Sequence, residues 1–394
     1  MFDLTFEQHS IIETVREFVR EQIWPLEDEL DPDESRLPAG DYERLTTMTR
    51  KMGLFNLDVP EEEGGPGIDL VTRCLLAIEM SQHRAGLYAP CYDVFGHTGQ
   101  IPLLSAWATP EQREKYLVPS IEGRKRAAFA LTEPTGGSDP GRNLRTRAVQ
   151  DGDDWVINGD KLWISFAHEA EFALVFARTG GPGRDGITCF IVDTDTPGFH
   201  VRRIAHTMRS THPATELQLE DVRVPSKNIL GEIGRGFSLA NERLSRNRIP
   251  YSAGCIGLAV RAQEMTIEWT KMRKSFDKPL SEHQGVAWML VENEQDIRYA
   301  TLMVLNAAAA ANAGRPFRTE AALAKIAATE AASRVVDRAI QLHGGMGVSR
   351  EMPLERWYRE LRIRRIGEGA TEIQKVIISR DLLRNPYAFF MDRA

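Results

Sequence analysis

Along the first third of the chain, apolar residues recur every three or four positions. Ile11, Ile12, Val15, Phe18, Val19 and Ile23 share one helical face. Thr5-Phe6-Glu7-Gln8 ahead of them reads as a capping box with Leu4 as the staple residue, and Pro25 falls near the end of this helix. The spacing predicts a second helix over Tyr42–Met52 that stops at Gly53, then a loop at Gly64-Gly65-Pro66-Gly67. Asp69 is placed to cap the next helix, and Thr109-Pro110-Glu111-Gln112 starts another with proline at its first position.

Near Arg126 the period changes. Ala127–Leu131 reads as a short strand that leads into the loop Thr132-Glu133-Pro134-Thr135-Gly136-Gly137-Ser138-Asp139. Further strands are expected over Arg145–Val149, Trp155–Asn158, Phe172–Ala177, Ile187–Val192 and Thr215–Val224, with turns at Asp151-Gly152 and Gly180–Gly186 between them. Short strands at this spacing predict a small antiparallel barrel or sandwich. From Gly236 the helical period returns over Phe237–Lys274, Glu282–Ala313 and Arg318–Leu342, with Ser281-Glu282-His283-Gln284 as a second capping box and a last helix after Gly369. The alanine-rich segments Ala307–Ala311 and Ala321–Ala332 favour close helix packing. The plan is α+β: a helical domain over 1–125, a β-domain over 126–232 and a helical bundle over 233–394, with no internal repeat.

Composition narrows the function. A chain of 394 residues buries a large core, and its formal net charge of -7 excludes the concentrated basic face that nucleic acid requires. Cys74, Cys91, Cys189 and Cys255 form no C-x-x-C pair, so neither a disulfide scaffold nor a zinc ribbon is indicated. The N-terminus has neither the apolar run of a signal peptide nor the arginines of a transit peptide, and Ala300–Ala313 is too short to span a bilayer. A soluble, cytoplasmic protein is expected.

No Rossmann fingerprint, Walker lysine, Gly-x-Ser-x-Gly elbow or helical histidine pair occurs, and no metal site is expected. The candidate chemistry centres on Glu368, set between Gly367 and Gly369 just ahead of a helix whose N–H groups favour a carboxylate or ligand oxygen. Three other stretches complement it. One is the loop from Thr132 to Asp139, rich in exposed N–H groups and hydroxyls. Another is Lys161-Leu162-Trp163-Ile164-Ser165, with an aromatic plane two residues from a hydroxyl on a strand. The third joins Arg273-Lys274-Ser275-Phe276 with Gln341-Leu342-His343-Gly344-Gly345, both at helix ends. Each alone also reads as packing: a capped turn, a barrel-core tryptophan, a basic helix terminus, a glycine C-cap.

In this order they resemble the acyl-CoA dehydrogenase family, over essentially the whole chain. The resemblance implies an N-terminal helical domain, a middle β-domain and a C-terminal four-helix bundle that binds FAD without a Rossmann motif. It implicates Phe129, Leu131, Thr132, Gly137, Ser138, Trp163, Ile164 and Ser165 in holding the flavin. Arg273, Phe276, Gln284, Gln341, Gly344 and Gly345 would complete the site of a neighbouring subunit, in a homotetramer built as a dimer of dimers. Paired N–H···O bonds suit an arginine to pyrophosphate. Glu368 matches the family's base, with Ala370 (where the family often has threonine) and Glu372 beside the cofactor. Ser138, Ser245, Arg248 and Gly369 match substrate-side positions, and Val94 and Phe95 align with the floor of the acyl pocket, although Tyr92 and Phe95 read equally well as core.

The implied reaction is α,β-dehydrogenation of an acyl-CoA thioester, a step of fatty-acid metabolism, with electrons passing to an electron-transfer flavoprotein. A base must stand on one face of the substrate and the flavin on the other, and withdrawal from water makes a carboxylate a stronger base. The alternatives within the fold are an acyl-CoA oxidase, an enoyl-CoA reductase and a desulfinase; a non-catalytic flavoprotein subunit is a different class. Some relatives carry their base on the earlier helix, in the segment that is here Ser245-Arg246-Asn247-Arg248 and holds no acid. Acyl-chain length and branching are set by pocket shape, which the sequence does not give.

Overall fold

The start of the first helix, α1 (Phe6–Phe18), is fixed by its own residues. The Thr5 hydroxyl accepts from the Gln8 N–H at 3.2 Å, and the Gln8 side chain accepts from the Thr5 N–H at 3.1 Å. The helix does not stop at Pro25: a π turn over Val19–Ile23 leads into Trp24–Glu29. A wider turn ahead of the proline lets the chain stay helical around its missing N–H. The next helix, Ala39–Lys51, is followed by Gly53 at φ 70°. Asp69 caps α2 (Leu70–Met80) by accepting from Val71 and Thr72. The structure, a computed structural model, describes residues 4–31, 34, 36–84, 93–96, 99–209 and 213–384; Tyr92 and Cys91 lie outside them.

Two compact units are formed, a helical one (1–45, 68–92 and 245–394) and a sheet unit (46–67 and 93–244). The helical unit comprises α1, α2, α3 (Gly236–Met272, from Ser245 onward), α4 (Gln284–Asn312), α5 (Arg318–His343), α6 (Leu354–Arg364) and α7 (Thr371–Arg384). Its core is alanine-rich. Ala259 and Ala262 of α3, Ala307 and Ala308 of α4, and Ala321, Ala324, Ala328 and Ala332 of α5 pack with Leu354, Trp357 and Leu361 of α6. Small side chains let ridges of one helix sink into the grooves of the next. One expectation fails here. Ser281 makes no capping box; Leu280–Glu282 is a 3₁₀ turn, and α4 begins at Gln284 after His283. His283 Nε2 pairs with the Ser275 carbonyl at 3.0 Å, so a contact to the preceding hairpin, Lys274–Ser275 with Lys278–Pro279, sets the helix start.

In the sheet unit, β1 (Ala127–Ala130), β2 (Arg147–Asp151), β3 (Asp154–Ser165), β4 (Phe172–Arg178), β5 (Ile187–Asp193), β6 (Phe199–Ala205), β7 (Ala214–Pro225) and β8 (Ile229–Leu230) form one sheet. The order is β6-β7-β3-β2-β4-β5-β8, with β1 on β4. Pairings are antiparallel except β1 and β2 against β4. The two segments expected at Trp155–Asn158 and Lys161–Ser165 are a single strand, bent by two register shifts against β7. Sequence pattern gives no sign of β6, because only its end residues are buried and its middle is exposed. In β4 and β5 both faces are buried. Phe172, Leu174, Phe176, Ile187 and Ile191 pack with Leu103, Leu104, Tyr116 and Leu117, while Ala173, Val175, Phe190 and Val192 face the rest of the sheet. No helix among the described residues is long and apolar enough to cross a membrane.

Candidate active site

Glu368 stands in the turn between α6 and α7 with a left-handed backbone, φ 56°. A non-glycine residue there costs on the order of 1–3 kcal/mol and persists only when its surroundings enforce it. They do. Arg248 Nε of α3 donates to the Glu368 carbonyl at 2.9 Å, and Asn247 Nδ2 donates to the Glu368 carboxylate at 3.1 Å. A side chain at either flanking glycine would crowd a neighbouring side chain, and at Gly369 the backbone also favours glycine. A Cβ on Gly367 would come within 2.9 Å of the Tyr251 hydroxyl, and Gly369 has φ 93° with Gln374 Nε2 at 2.6 Å from a Cβ. That Gln374 amide donates to the Gly369 carbonyl at 2.9 Å. Ala370 accepts from the Ile373 and Gln374 N–H groups and so opens α7, on which Glu372 is exposed. Arg248 and Ser245 are buried on α3.

The helix-end residues form a second group in the same unit. The Trp269 ring of α3 stacks on His343 of α5 at 5.0 Å, and its Nε1 donates to the Leu342 carbonyl at 3.2 Å, which ties the two helix ends together. Burial lowers the His343 pKa, so its imidazole is biased toward neutral. Around this tie Arg273, Gln284, Gln341, Gly344 and Gly345 are exposed, and Phe276 is 89% exposed with φ 50°. An apolar ring turned out to solvent on a left-handed backbone is not explained by packing within this chain.

In the sheet unit a buried ion pair shapes the third group. Lys161 Nζ reaches Glu133 Oε1 at 2.9 Å and the carbonyls of Phe176 and Leu131 at 2.7 and 3.3 Å. Glu133 also accepts from the Arg145 and Thr146 N–H groups. The Leu162 N–H donates to the Thr132 carbonyl at 2.9 Å, which joins the loop to β3. Beyond Lys161 the register shift turns Trp163 outward, 53% exposed at φ 63°, while Ile164 stays buried and Ser165 is exposed. Gly137 and Ser138 are exposed, and a Cβ on Gly137 would press on Thr132 at 3.1 Å. Leu131 is core and Phe129 packs on Phe176 at 4.9 Å. Val94 and Phe95 are fully buried.

Three family models match in succession: the acyl-CoA dehydrogenase N-terminal domain over 5–124, the middle domain over 128–222 and the C-terminal domain over 234–383. The chain belongs to the acyl-CoA dehydrogenase family. It is 37% identical to a probable acyl-CoA dehydrogenase of Bacillus subtilis across 97% of this chain and 100% of that one. It is 35% identical to a 3-(aryl)acrylate reductase of Clostridium sporogenes, across 96% and 99%. Butyryl-CoA dehydrogenase from Megasphaera elsdenii superposes with a TM-score of 0.87 at 32% identity, covering 98% of this chain and 100% of that one. Acyl-CoA dehydrogenases are FAD-dependent enzymes.

The residues present fit a flavin. In the sheet unit an outward indole offers a stacking plane, with a strand hydroxyl and an exposed glycine loop beside it, and in the helical unit Arg273 is an exposed guanidinium. Sequence reasoning passed over several supporting residues. Asn247 touches the carboxylate, Tyr251 and Gln374 close the space around it, and Glu133 with Lys161 anchors the loop to the strand. Lys325 is a further one, and its signal was present: it falls on the buried alanine face of α5, where a lone lysine breaks the pattern.

Proposed function

We propose that this acyl-CoA dehydrogenase removes an α-proton and a β-hydride from an acyl-CoA thioester to give the trans-2-enoyl thioester, with Glu368 as the base. The observation that carries the reading is the posture of Glu368: a strained apex, its carboxylate fixed by Asn247 and its carbonyl by Arg248. FAD, when bound, supplies the hydride acceptor. Phe129, Leu131, Thr132, Gly137, Ser138, Trp163, Ile164 and Ser165 hold it, and Arg273, Phe276, Gln284, Gln341, Gly344 and Gly345 complete the site of a neighbouring subunit. Exposure of Phe276 and Arg273 supports that assignment.

The Glu368 carboxylate takes the α-proton, and its own N–H polarises the thioester carbonyl as negative charge develops there. Ser138, Ser245, Arg248 and Gly369 line the substrate side, with Ala370 and Glu372 near the cofactor. The assembly is a homotetramer in the cytoplasm that passes electrons to an electron-transfer flavoprotein, and its domains divide at 125 and 232. Likeness to a reductase favours a second reading in which the same carboxylate would return the α-proton to an enoyl thioester, the β-hydride coming from bound, reduced FAD.

Anaerobic mixing with butyryl-CoA tests the base. Glu368→Gln retains FAD but bleaches the flavin slower by about two to four orders of magnitude. Near-wild-type bleaching removes Glu368 from the chemistry.

A further inference from the structure

Lys325 takes no part in the chemistry just described, yet it is fully buried among Ala321, Ala324 and Ala328 in the core of the helical unit. Among the described residues its ammonium makes one hydrogen bond, to the Arg365 carbonyl at 3.0 Å. The same oxygen accepts from the Thr371 N–H at 3.0 Å and lies 3.4 Å from the Thr371 hydroxyl. These bonds close a loop from Arg365 to Thr371, and Glu368 is its midpoint.

The Arg365 side chain is gripped from the same helix. Its Nε donates to Glu330 Oε1 at 2.8 Å, and the Thr371 hydroxyl reaches that oxygen at 3.4 Å. So α5 presents a cation to the loop's closing carbonyl and an anion to its guanidinium. An apolar residue at 325 would avoid the cost of sealing an ammonium in the core, which packing alone therefore does not favour. A charged donor makes a stronger bond to a carbonyl than a neutral one does. Burial pulls the lysine down to about 8, and Arg248 of α3 pushes the same way. Cys255 of α3, Glu330 of α5 and Glu368 oppose them.

We propose that Lys325 is a positioning residue for Glu368: it clamps the Arg365 carbonyl and so holds the loop on which Glu368 keeps its left-handed backbone. The inference rests on the reading of Glu368 as the base.

FAD-loaded Lys325→Met enzyme tests it. The expected result has four parts. The melting temperature is no lower than wild type, and FAD content is unchanged. Turnover of butyryl-CoA falls roughly ten- to a hundredfold in kcat with KM nearly constant. Amide hydrogen exchange accelerates only in peptides spanning 363–373. Unchanged exchange over 363–373 overturns the proposal. So does a lower melting temperature with faster exchange throughout the helices and a matching loss of activity. Should Lys325→Met fail to fold, Thr371→Val carries the same exchange and kcat tests with a smaller fall. The exchange measurement needs no substrate. If Glu368→Gln bleaches as fast as wild type with an acyl-CoA that the wild type oxidises, the base assignment falls while the clamp is still decided by exchange.

Discussion

Lys161 in the sheet unit and Lys325 in the helical unit are both fully buried, and burial draws both ammonium groups down to about 8. Their surroundings differ. Three acceptors stand within 3.3 Å of Lys161 to match its three N–H donors, and one of them is a carboxylate. Glu133 is itself completed by two backbone N–H groups, and its pairing with Lys161 and these bonds outweighs burial and lowers its pKa. Among the described residues Lys325 meets one carbonyl and no carboxylate within ion-pair distance. A closed network of this kind fixes a unique geometry in the sheet. A cation with a single neutral partner contributes little to stability, so its presence asks for another role. The helical unit gives it one at the loop of Glu368.

The largest expected effect breaks the pair. Lys161→Met leaves the buried Glu133 without its cation and costs about 3–5 kcal/mol in urea unfolding, whereas Lys325→Met costs nothing or stabilises. Equal losses in the two variants would erase the distinction drawn between them.

Alkaline pH gives the next largest effect. Because the folded-state value of Lys325 lies below its ordinary 10.5, the unfolded chain binds the proton more tightly between about 8 and 10.5. The penalty is complete below pH 8, shrinks as pH rises and is gone above 10.5. The gap in unfolding free energy between wild type and Lys325→Met therefore narrows by about 2–3 kcal/mol across that window. A gap that is flat with pH would mean that Lys325 is not a buried cation. For Glu133 the sign reverses: its contribution is present above its ordinary 4.5 and is lost as pH falls below it.

Smallest is the change at the loop itself. Gly369→Ala forces an alanine to φ 93° and costs about 1–2 kcal/mol, seen as a lower urea midpoint. In the Lys325→Met background the cost is smaller, because the loop is already loosened. Strict additivity of the two substitutions would count against the clamp.

Much of the fold was legible because it depends on near neighbours. The Thr5 capping box, the helix start at Thr109-Pro110, the Asp69 cap and the helical spans after Gly236 form as their local residues require. Failures occurred where a distant partner decides. Ser281 lost its cap to a hairpin contact, β3 runs through two bulges that its partner strand imposes, and β6 has too little buried surface to show a pattern. The expected helices leave out Leu354–Arg364, yet Leu354, Trp357 and Leu361 place this run in the core as α6. The candidate site follows the same rule. Gly367-Glu368-Gly369 is visible as a motif, but Asn247 and Lys325 are separated from it by long stretches of chain.

Taken by itself, the sequence determined the order of helices, strands and helices, and it singled out Glu368, between two glycines, as the candidate base of the proposed reaction. Period, capping and turn chemistry act within a few residues, so the chain states them outright. Only the tertiary structure decided that Glu368 adopts a left-handed backbone, that Asn247 fixes its carboxylate, and that one buried lysine is neutralised while the other is left to a carbonyl. Those outcomes depend on which groups meet after burial removes water, where an ammonium's partners set both its cost and its use.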